Sequence, residues 1–451
     1  MQSENQSTRR KFIKQSVPAS ALAVTGATLF PKAVHSASGG DESIRIGLVG
    51  CGGRGSGAVT DAVAATANVK LVAMADLAKD RLDQAATNLE TGIGAAFDVR
   101  PDARFVGPES YKQLCAHPDV DYVIHTTPPG LRYLTLREAL MNGKHSFVEK
   151  PVCVDPFTYH HVLESGKIAK ETGLAIVSGT QYRRENSYKA AIQQIHDGLI
   201  GELTGAYQYY CGGALWTRGT AADWERWGGF DGMEYQMRNW LYFAWLSGDH
   251  ITEQAIHNID AVNWAFGGPP VAAYGSGGRI SRNDKQYGNI YDHFSIDYDY
   301  ANGARVAFKC RQIAGTKGRV TNRFIGTKGT MDIRPSPGST ASVAKDFSGK
   351  RLWNNNGRTK NNLPYVEEHK ALIASIRAGD PIVEIQGVAD SSITATIGRE
   401  AAYSGQEIKF TDALASRMKL GPDDITLASN PVGPAPVPGQ YQFITEPEPT
   451  S

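Results

Sequence analysis

Residues 44–55 read IRIGLVGCGGRG, an apolar run that ends in a cluster of glycines. A second apolar run, Val69 to Ala75, follows and ends at the acidic residue Asp76. In nucleotide-binding βαβ units a glycine-rich turn joins a strand to a helix, and an acidic residue stands about 20 positions further on. The spacing between these glycines and Asp76 fits that arrangement. The stretch therefore predicts a βαβ unit that binds a dinucleotide.

The residues of this predicted unit have separate physical tasks. Gly50 allows the tight turn, Gly52 lets the backbone approach the pyrophosphate, and Gly55 lets the helix pack on its strand. The Asp76 carboxylate can accept hydrogen bonds from the adenosine ribose and repels a 2′-phosphate, which favours NAD over NADP despite Lys79 nearby. The predicted cofactor ligands of the unit are Gly50, Gly52, Gly53, Arg54, Gly55 and Asp76.

The hydrophobic pattern changes along the chain. Up to about residue 151, strand-like apolar runs alternate with helix-like segments, which predicts a doubly wound parallel sheet. Beyond residue 200, long strand-like runs with turn signals such as Asn302-Gly303 predict a large, mostly antiparallel open sheet. The predicted fold class is α/β plus α+β. Three parts are predicted: a Rossmann NAD-binding domain (41–165), a substrate and oligomerisation domain (166–410), and an extended proline-rich arm (411–451). The late helices of the second domain, 366–377 and 389–403, are predicted to pack back on the first domain.

The N-terminus carries an export pattern. Residues 8–14 read TRRKFIK, and a weakly apolar stretch (17–30) and small residues (36–38) follow. The stretch is too short and too rich in small and polar residues for a stable membrane span. Residues 1–38 are therefore predicted to be a twin-arginine signal peptide that directs the folded protein to the periplasm or otherwise out of the cytoplasm. The alternative is a basic N-terminus that carries two adjacent arginines by chance.

The charges of the chain are balanced, with 47 basic and 46 acidic residues and a formal net charge of +1. Such a chain has no overall field that attracts nucleic acid or an anionic membrane surface, and no later segment is apolar enough to span a bilayer. A small neutral molecule is the expected partner. The five cysteines are scattered without metal-site spacing and are odd in number, so we expect no disulfide framework.

Further motifs carry a resemblance to a known family. They are Thr127-Pro128-Pro129, Glu149-Lys150-Pro151, and the helix-like segment from Glu253 to Asp260. Together with the glycine turn they resemble the Gfo/Idh/MocA family of NAD(P)-dependent oxidoreductases, which includes glucose-fructose oxidoreductase and inositol dehydrogenase. The resemblance covers about residues 44–410, and the segment departs from the common family form by having Glu253 and Ala255 instead of aspartate and glycine.

The resemblance implies roles for individual residues. Lys150 is expected beside the nicotinamide and the substrate hydroxyl, and His257 is expected to be the proton acceptor. Thr127, Pro128, Glu149 and Lys150 are expected to help hold the cofactor. The resemblance also implies a homo-oligomer formed through the open sheet.

The chemistry of alcohol oxidation leads independently to the same residues. The reaction needs a hydride acceptor on one side of the carbon and a base within hydrogen-bond reach of the hydroxyl. His257 has a suitable unperturbed pKa, and a cation such as Lys150 would stabilise the developing alkoxide. Glu253 precedes His257 by about one helical turn, so it is predicted to orient the imidazole. The alternative for His257 is a satisfied histidine in the core.

A polar helical face is predicted next to this pair. His250, Glu253 and His257 recur at i, i+3 and i+7 and could hold a divalent metal. We favour a substrate-binding face and no metal, because zinc helices more often use histidines at i and i+4. Aromatic rings with hydrogen-bonding neighbours commonly hold sugar rings, although they also pack in cores. The predicted substrate contacts are Tyr182, Arg183, Arg238 and His250.

Three functions fit the sequence. The first is an exported oxidoreductase that passes a hydride between NAD and a ring carbon of a sugar, cyclitol or glycoside. The second is an NAD-dependent glycosidase, in which transient oxidation at C3 permits elimination of the leaving group. The third is a non-catalytic sugar-binding relative that retains the nucleotide.

Overall fold

The computed structural model describes residues 43–334, 342–355, 363–423, 425 and 429–445. The predicted signal peptide, residues 1–38, lies outside these ranges. Within them, no helix is both long and apolar enough to cross a membrane.

Strands and helices fill most of the described chain. The strands are β1 (Ile44–Val49), β2 (Val69–Asp76), β3 (Arg104–Val106), β4 (Tyr122–His125), β5 (His145–Val148), β6 (Ile176–Ser178), β7 (Leu203–Gly212), β8 (Ala272–Gly278), β9 (His293–Asp299), β10 (Arg305–Gln312), β11 (Arg319–Gly326), β12 (Thr330–Ile333), β13 (Val343–Lys345), β14 (Arg351–Asn354) and β15 (Ile408–Lys409). The helices are α1 (Gly53–Ala65), α2 (Lys79–Ile93), α3 (Ser110–Cys115), α4 (Arg132–Met141), α5 (Pro156–Thr172), α6 (Asn186–His196), α7 (Ala221–Arg226), α8 (Met233–Arg238), α9 (Ala244–Ser247), α10 (Asp249–Glu253), α11 (Ile256–Phe266), α12 (Pro364–Ala378), α13 (Ile385–Ser404) and α14 (Phe410–Ala415).

The first six strands form a parallel sheet in the order β3-β2-β1-β4-β5-β6. The predicted doubly wound sheet is thus confirmed. The direction of winding reverses between β1 and β4, and a crevice opens there at the carboxyl ends of the strands. Strand β4 is buried throughout, as expected for a central strand covered by helices on both faces.

The sheet extends further along the chain than the predicted domain boundary. Residue 165 falls inside α5, whereas the sixth strand, β6, ends at Ser178. The late helix α12 returns to this sheet, because Val366, Leu372 and Ile373 lie in the same apolar core as β1 and β2. The other late helix, α13, packs mainly on the second sheet and on α5.

The second sheet has nine strands in the order β14-β13-β12-β11-β7-β10-β9-β8-β15. Its neighbours are antiparallel except for β7 and β10, which run parallel. Side chains of β10 alternate between buried and more exposed positions, so one face joins the apolar core and the other stays open. Strands β7 to β11 confirm the predicted runs. Strands β12 to β15 were not predicted, because segments of two to four residues carry too little hydrophobic pattern.

An aromatic insertion, residues 213–247, lies between β7 and α10. It holds a separate apolar cluster that includes Trp227, Tyr235, Phe243 and Trp245. The insertion lies directly on the loop after β4, since a Cβ added at Gly130 would come within 2.0 Å of the Trp245 carbonyl oxygen. It therefore forms a wall beside the crevice of the parallel sheet.

The C-terminal segment is extended, as its composition predicts. Residues 429–445 contain no helix, and hydrogen bonds tie them to the rest of the protein. The Tyr441 hydroxyl donates to the Glu400 carboxylate at 2.7 Å, and the Tyr291 hydroxyl donates to the Pro436 carbonyl at 2.7 Å. All five cysteines are free thiols.

Candidate active site

The glycine turn has the geometry of a phosphate-binding loop. Gly50 has a φ of +95°, and a Cβ added there would come within 2.8 Å of the Thr126 carbonyl carbon. A Cβ at Gly55 would come within 2.1 Å of the Gly50 carbonyl oxygen, whereas Gly53 has open space around it. The close approaches require glycine at the turn and at the first turn of α1. The open side leaves the N-terminal amides of α1 without intrahelical partners and free to face an anion.

Asp76 ends β2 at the edge of the same crevice. Its carboxylate accepts hydrogen bonds from the backbone amides of Cys51 at 2.7 Å and Ala78 at 2.8 Å. Burial raises the pKa of Asp76, and these two amides oppose the increase. The carboxylate thus stabilises the glycine turn and lines the cavity into which the turn opens.

The loops after β4 and β5 are joined by Arg132, a residue that the sequence did not single out. Its Nε donates to the Thr127 carbonyl at 3.0 Å and one Nη donates to the Pro151 carbonyl at 2.6 Å. Burial lowers the pKa of Arg132 to about 10. The two loops that carry Thr127 and Lys150 are therefore fixed relative to each other.

A cavity of about 690 Å³ runs along the carboxyl ends of the first strands. Gly50, Gly52, Asp76, Thr127 and Pro128 line it. The Thr127 hydroxyl oxygen is buried and has no hydrogen-bond partner among the described residues. A dinucleotide fits this donor set, because the cavity combines a glycine cradle, a helix N-terminus, an acid for the ribose and an unpaired hydroxyl.

Arg54 and Glu149, both predicted cofactor ligands, form an ion pair with each other. The Arg54 Nε donates to Glu149 at 2.6 Å and one Nη donates to Asp61 at 3.0 Å. The other Glu149 oxygen accepts the backbone amide of Lys150 at 3.1 Å. Through these contacts Arg54 and Glu149 hold the loop of Lys150, and their part in cofactor binding stays a prediction.

Lys150 extends from that loop to the end of α10. Its Nζ donates to the Glu253 carbonyl at 2.7 Å and lies 3.5 Å from the Glu253 carboxylate. Both side chains are largely buried. His257, in the first turn of α11, is close enough for the Lys150 charge to lower its pKa, although burial is the larger cause. The imidazole is therefore neutral at neutral pH and can accept a proton.

The predicted continuous helix from Glu253 to His257 is wrong. Helix α10 ends at Glu253 and α11 begins at Ile256. The Glu253 carboxylate accepts a hydrogen bond from Gln254 at 2.6 Å and pairs with Lys150. At this break the Glu253 side chain lies against Lys150. The contacts of Glu253 in the described chain therefore hold Lys150 in place, and they do not orient His257.

Two family models match this chain. The model described as "Oxidoreductase family, NAD-binding Rossmann fold" matches residues 44–180, and the "GFO/IDH/MocA C-terminal domain" model matches residues 188–332. The chain belongs to the Gfo/Idh/MocA family. The match over residues 44–180 is to the NAD-binding Rossmann domain of that family.

Relatives of this Gfo/Idh/MocA protein have varied names. A glycosyl hydrolase family 109 protein of Streptomyces coelicolor is 29% identical over 168 residues, 37% of this chain and 34% of that protein, so the match spans about a third of the relative. The scyllo-inositol 2-dehydrogenase (NAD(+)) of Bacillus subtilis is 26% identical over 323 residues, 68% of this chain and 81% of that protein. The crystal structure of aldose-aldose oxidoreductase from Caulobacter crescentus has the same fold, with a TM-score of 0.64, 19% identity and coverage of 82% of this chain and 100% of that one.

On the substrate side of this family member, Tyr182 lies beside the candidate base. Its ring stacks on Tyr188 with centroids 4.4 Å apart and lies 5.1 Å from the His257 ring. Arg183, in contrast, forms a two-pronged ion pair with the buried Asp260, in which its Nε and one Nη each donate to a carboxylate oxygen at 2.9 Å, and it stacks over Trp264. Arg183 is thus held by a buried carboxylate of α11, and Tyr182 contacts the candidate base.

His250, a predicted substrate contact, lies in the protein interior. It is fully buried, its Nδ1 donates to Asp249 at 3.0 Å, and its ring packs on Phe294. The break between α10 and α11 separates His257 from the helix that carries His250 and Glu253. The described residues include no group of three side chains able to hold a metal ion.

Arg238 lies at the cofactor cavity rather than near His257. Its guanidinium pairs with Asp80 at 2.8 Å and Glu234 at 2.9 Å, and it stacks over Trp227. The pair with Asp80 connects the aromatic insertion to α2. Met237 and Trp240 of the insertion also line the cavity. No local pattern in the sequence identifies these wall residues, because their neighbours in the cavity are far away along the chain.

Proposed function

We propose that the protein transfers a hydride between NAD and a ring carbon of a sugar, cyclitol or glycoside. The observation that carries this proposal is a neutral, nearly buried His257 beside the positively charged Lys150. This arrangement offers a proton acceptor and a cation at one point next to the Rossmann cleft. The relatives named for inositol and aldose chemistry support the substrate class.

We assign to His257 the role of accepting the proton of the reacting hydroxyl group. Its lowered pKa keeps the imidazole unprotonated at neutral pH, as a base must be. We assign to Lys150 the role of stabilising the developing alkoxide, because its positive charge lies within a partly buried site. Glu253 holds the Lys150 ammonium in place through its carbonyl and its carboxylate.

NAD is assigned to the glycine turn, Asp76, Thr127 and Pro128, which line the cavity. When bound, it supplies the hydride acceptor or donor. The chain itself excludes water from part of this space through the wall of the aromatic insertion, in which Trp240 and Met237 face the cavity.

A redox-neutral glycosidase is the second candidate. The match to glycosyl hydrolase family 109 proteins supports it. In this scheme oxidation at C3 of the glycoside acidifies the C2 proton, the leaving group is eliminated, water adds, and C3 is reduced again. His257 and Lys150 serve the C3 hydroxyl in either scheme. The third candidate, a non-catalytic sugar-binding protein, predicts bound nucleotide without turnover.

Export by the twin-arginine route and assembly through the open sheet are also part of the proposal. The sequence of residues 8–14 supports export, and fractionation of cells that express the full chain tests it. Replacing Arg9 and Arg10 with lysine should retain the protein in the cytoplasm. Light scattering that returns the mass of a single chain would contradict the oligomer.

The activity is tested on protein purified from residue 38 onward without added cofactor. Its bound nucleotide is measured by absorbance and fluorescence, and a panel of sugars, cyclitols and aryl glycosides is then added. Reduction that persists until an acceptor sugar is added supports the oxidoreductase. Release of the aglycone without net change in the nucleotide supports the glycosidase. Saturated nucleotide sites without turnover of any compound support the binding protein.

Variants test the two proposed catalytic residues. Lys150→Met and His257→Asn should each lower kcat at least 100-fold, a usual effect of losing a charge-stabilising or proton-transferring group. Both should keep the wild-type affinity for NADH within a few-fold, because neither residue lines the glycine turn. Lys167→Met and His196→Gln, which change exposed residues of the same types, are the controls. Wild-type turnover in Lys150→Met or His257→Asn would contradict the assignment.

A further inference from the structure

Glu368, on the inner face of α12, is a fully buried acid that the proposed reaction does not use. Tyr365 precedes it by three positions and therefore shares its helical face. The Arg54 guanidinium lies over the Tyr365 ring, with its central carbon 4.6 Å from the ring centroid. This face of α12 thus packs on Arg54, which holds the loop of Lys150 through Glu149.

The residue after Glu368 anchors the same turn of α12 to the parallel sheet. The His369 ring packs on Phe147 of β5 with centroids 4.2 Å apart, and its Nδ1 lies 3.3 Å from the Tyr122 hydroxyl oxygen of β4. Glu149 follows Phe147 by two positions and is only 3% exposed. Glu368 therefore lies above the carboxyl end of β5, close enough for the Glu149 charge to act on it.

Neither oxygen of the Glu368 carboxyl group has a hydrogen-bond partner among the described residues. The nearby arginines are already held by other carboxylates: Arg54 by Glu149 and Asp61, and Arg184 by Glu384. A buried carboxylate without a donor is costly, and protonation removes its charge. These contacts favour the acid form of Glu368.

The charges around Glu368 act in the same direction overall. The titratable and charged groups that face it are Glu149 after β5, Arg54 of α1, Arg184 after β6, Glu384 before α13, and Tyr365 and His369 of α12 itself. Burial is the main cause that raises the pKa of Glu368 well above its ordinary value; Glu149 and Glu384 add to the increase, while Arg54 and Arg184 oppose it. Burial also lowers the pKa of His369 to about 3, so the imidazole adds no positive charge at neutral pH.

We propose that Glu368 is a positioning residue for Lys150 that acts in its uncharged acid form. Without a charge it leaves Arg54 paired with Glu149, and that pair holds the loop. At alkaline pH Glu368 loses its proton to solvent, and the new carboxylate competes with Glu149 for Arg54, which loosens the loop. The inference rests on the proposed role of Lys150 and gives the reaction an upper pH limit.

Replacing Glu368 with glutamine tests the proposal, because glutamine has nearly the shape of the protonated acid and cannot ionise. Glu367→Gln is the matched control, since Glu367 lies on the same helix, is partly exposed and pairs with Lys370. Infrared difference spectra between wild type and each variant show whether a protonated carboxyl group is lost. Hydrogen–deuterium exchange of a peptide covering residues 149–154, corrected for the intrinsic pH dependence of exchange, measures the order of the loop. Neither measurement needs a substrate, so failure of this inference is distinguishable from failure of the proposed function.

At neutral pH the difference spectrum for Glu368→Gln should contain the carbonyl band of a protonated carboxylic acid, and that for Glu367→Gln should not. From neutral to alkaline pH the corrected exchange rate of the loop should rise about 10-fold more in wild type than in Glu368→Gln, because ionisation is linked to loosening. Lys150 titrates in both proteins, so this ratio isolates Glu368. Glu368→Asp, which retains an acid, should loosen at alkaline pH as wild type does.

The pH dependence of turnover supplies a further readout. With a substrate that the protein oxidises, kcat of wild type should fall at alkaline pH, and Glu368→Gln should move this fall upward by about one pH unit. Glu367→Gln should leave it in place. The absence of the acid band, or loop exchange with the same pH dependence in wild type and Glu368→Gln, would overturn the proposal.

Discussion

Replacing Gly55 tests how closely α1 packs against the glycine turn of the nucleotide unit. In Gly55→Ala the new Cβ would lie 2.1 Å from the Gly50 carbonyl oxygen and 2.7 Å from the Thr126 hydroxyl. Carbon and carbonyl oxygen atoms normally approach to about 3.3 Å, so α1 or the turn must move by roughly 1 Å. The obstacle at Gly50 is backbone, which cannot rotate away as a side chain can. Overpacking of this kind costs about 3 kcal/mol.

Gly53→Ala is the control for this substitution. Gly53 lies two positions earlier in the same helix and has no atom within 4 Å of the added Cβ. Alanine there should leave the free energy of unfolding unchanged or raise it by up to about 1 kcal/mol, because glycine loses more backbone entropy on folding. Differential scanning calorimetry should show a Tm about 4 °C lower for Gly55→Ala than for Gly53→Ala. Equal Tm values for the two variants would refute the predicted packing of α1 against the turn.

Two further predictions concern stability. His125 and His369 are fully buried, and burial lowers the pKa of each to about 3 from 6.5. On acidification the histidines of the unfolded chain bind protons at a higher pH than those of the folded protein. The free energy of unfolding is therefore unaffected above pH 6.5 and falls below it, by about 2 kcal/mol per histidine at pH 5. Urea unfolding from pH 7 to 5 should show this decline, with a shallower slope in His369→Gln; identical slopes would contradict it. Arg132→Met removes two charged hydrogen bonds to the loops of Thr127 and Pro151, and should lower the free energy of unfolding by about 3 kcal/mol, whereas the exposed Arg137→Met should not.

The sequence predicts the nucleotide unit well because its determinants are local. The glycine turn, the strand before it and the acid after it are close together in the chain, and each acts on its neighbours. Strands β7 to β11 are long enough for their hydrophobic pattern to predict them. The short edge strands and the helix break between Glu253 and Ile256 were missed, because contacts with other elements decide them.

The structure adds most to the sequence analysis at the charged residues of the predicted site. Arg54, Arg183 and Arg238 were all assigned to ligands, and all three are held by carboxylates. His250 has the helical spacing of a site residue and is nonetheless buried on Asp249.

The sequence by itself determined a dinucleotide-binding βαβ unit, a second open sheet, and Lys150 and His257 as the candidate catalytic pair. Only the tertiary structure decided which charges remain available to ligands. Arg54 meets Glu149 across 95 positions of the chain, and Arg183 meets Asp260 across 77. The energy of such pairs depends on the distance between the charges and on their burial. Folding sets both quantities, and the order of residues along the chain does not.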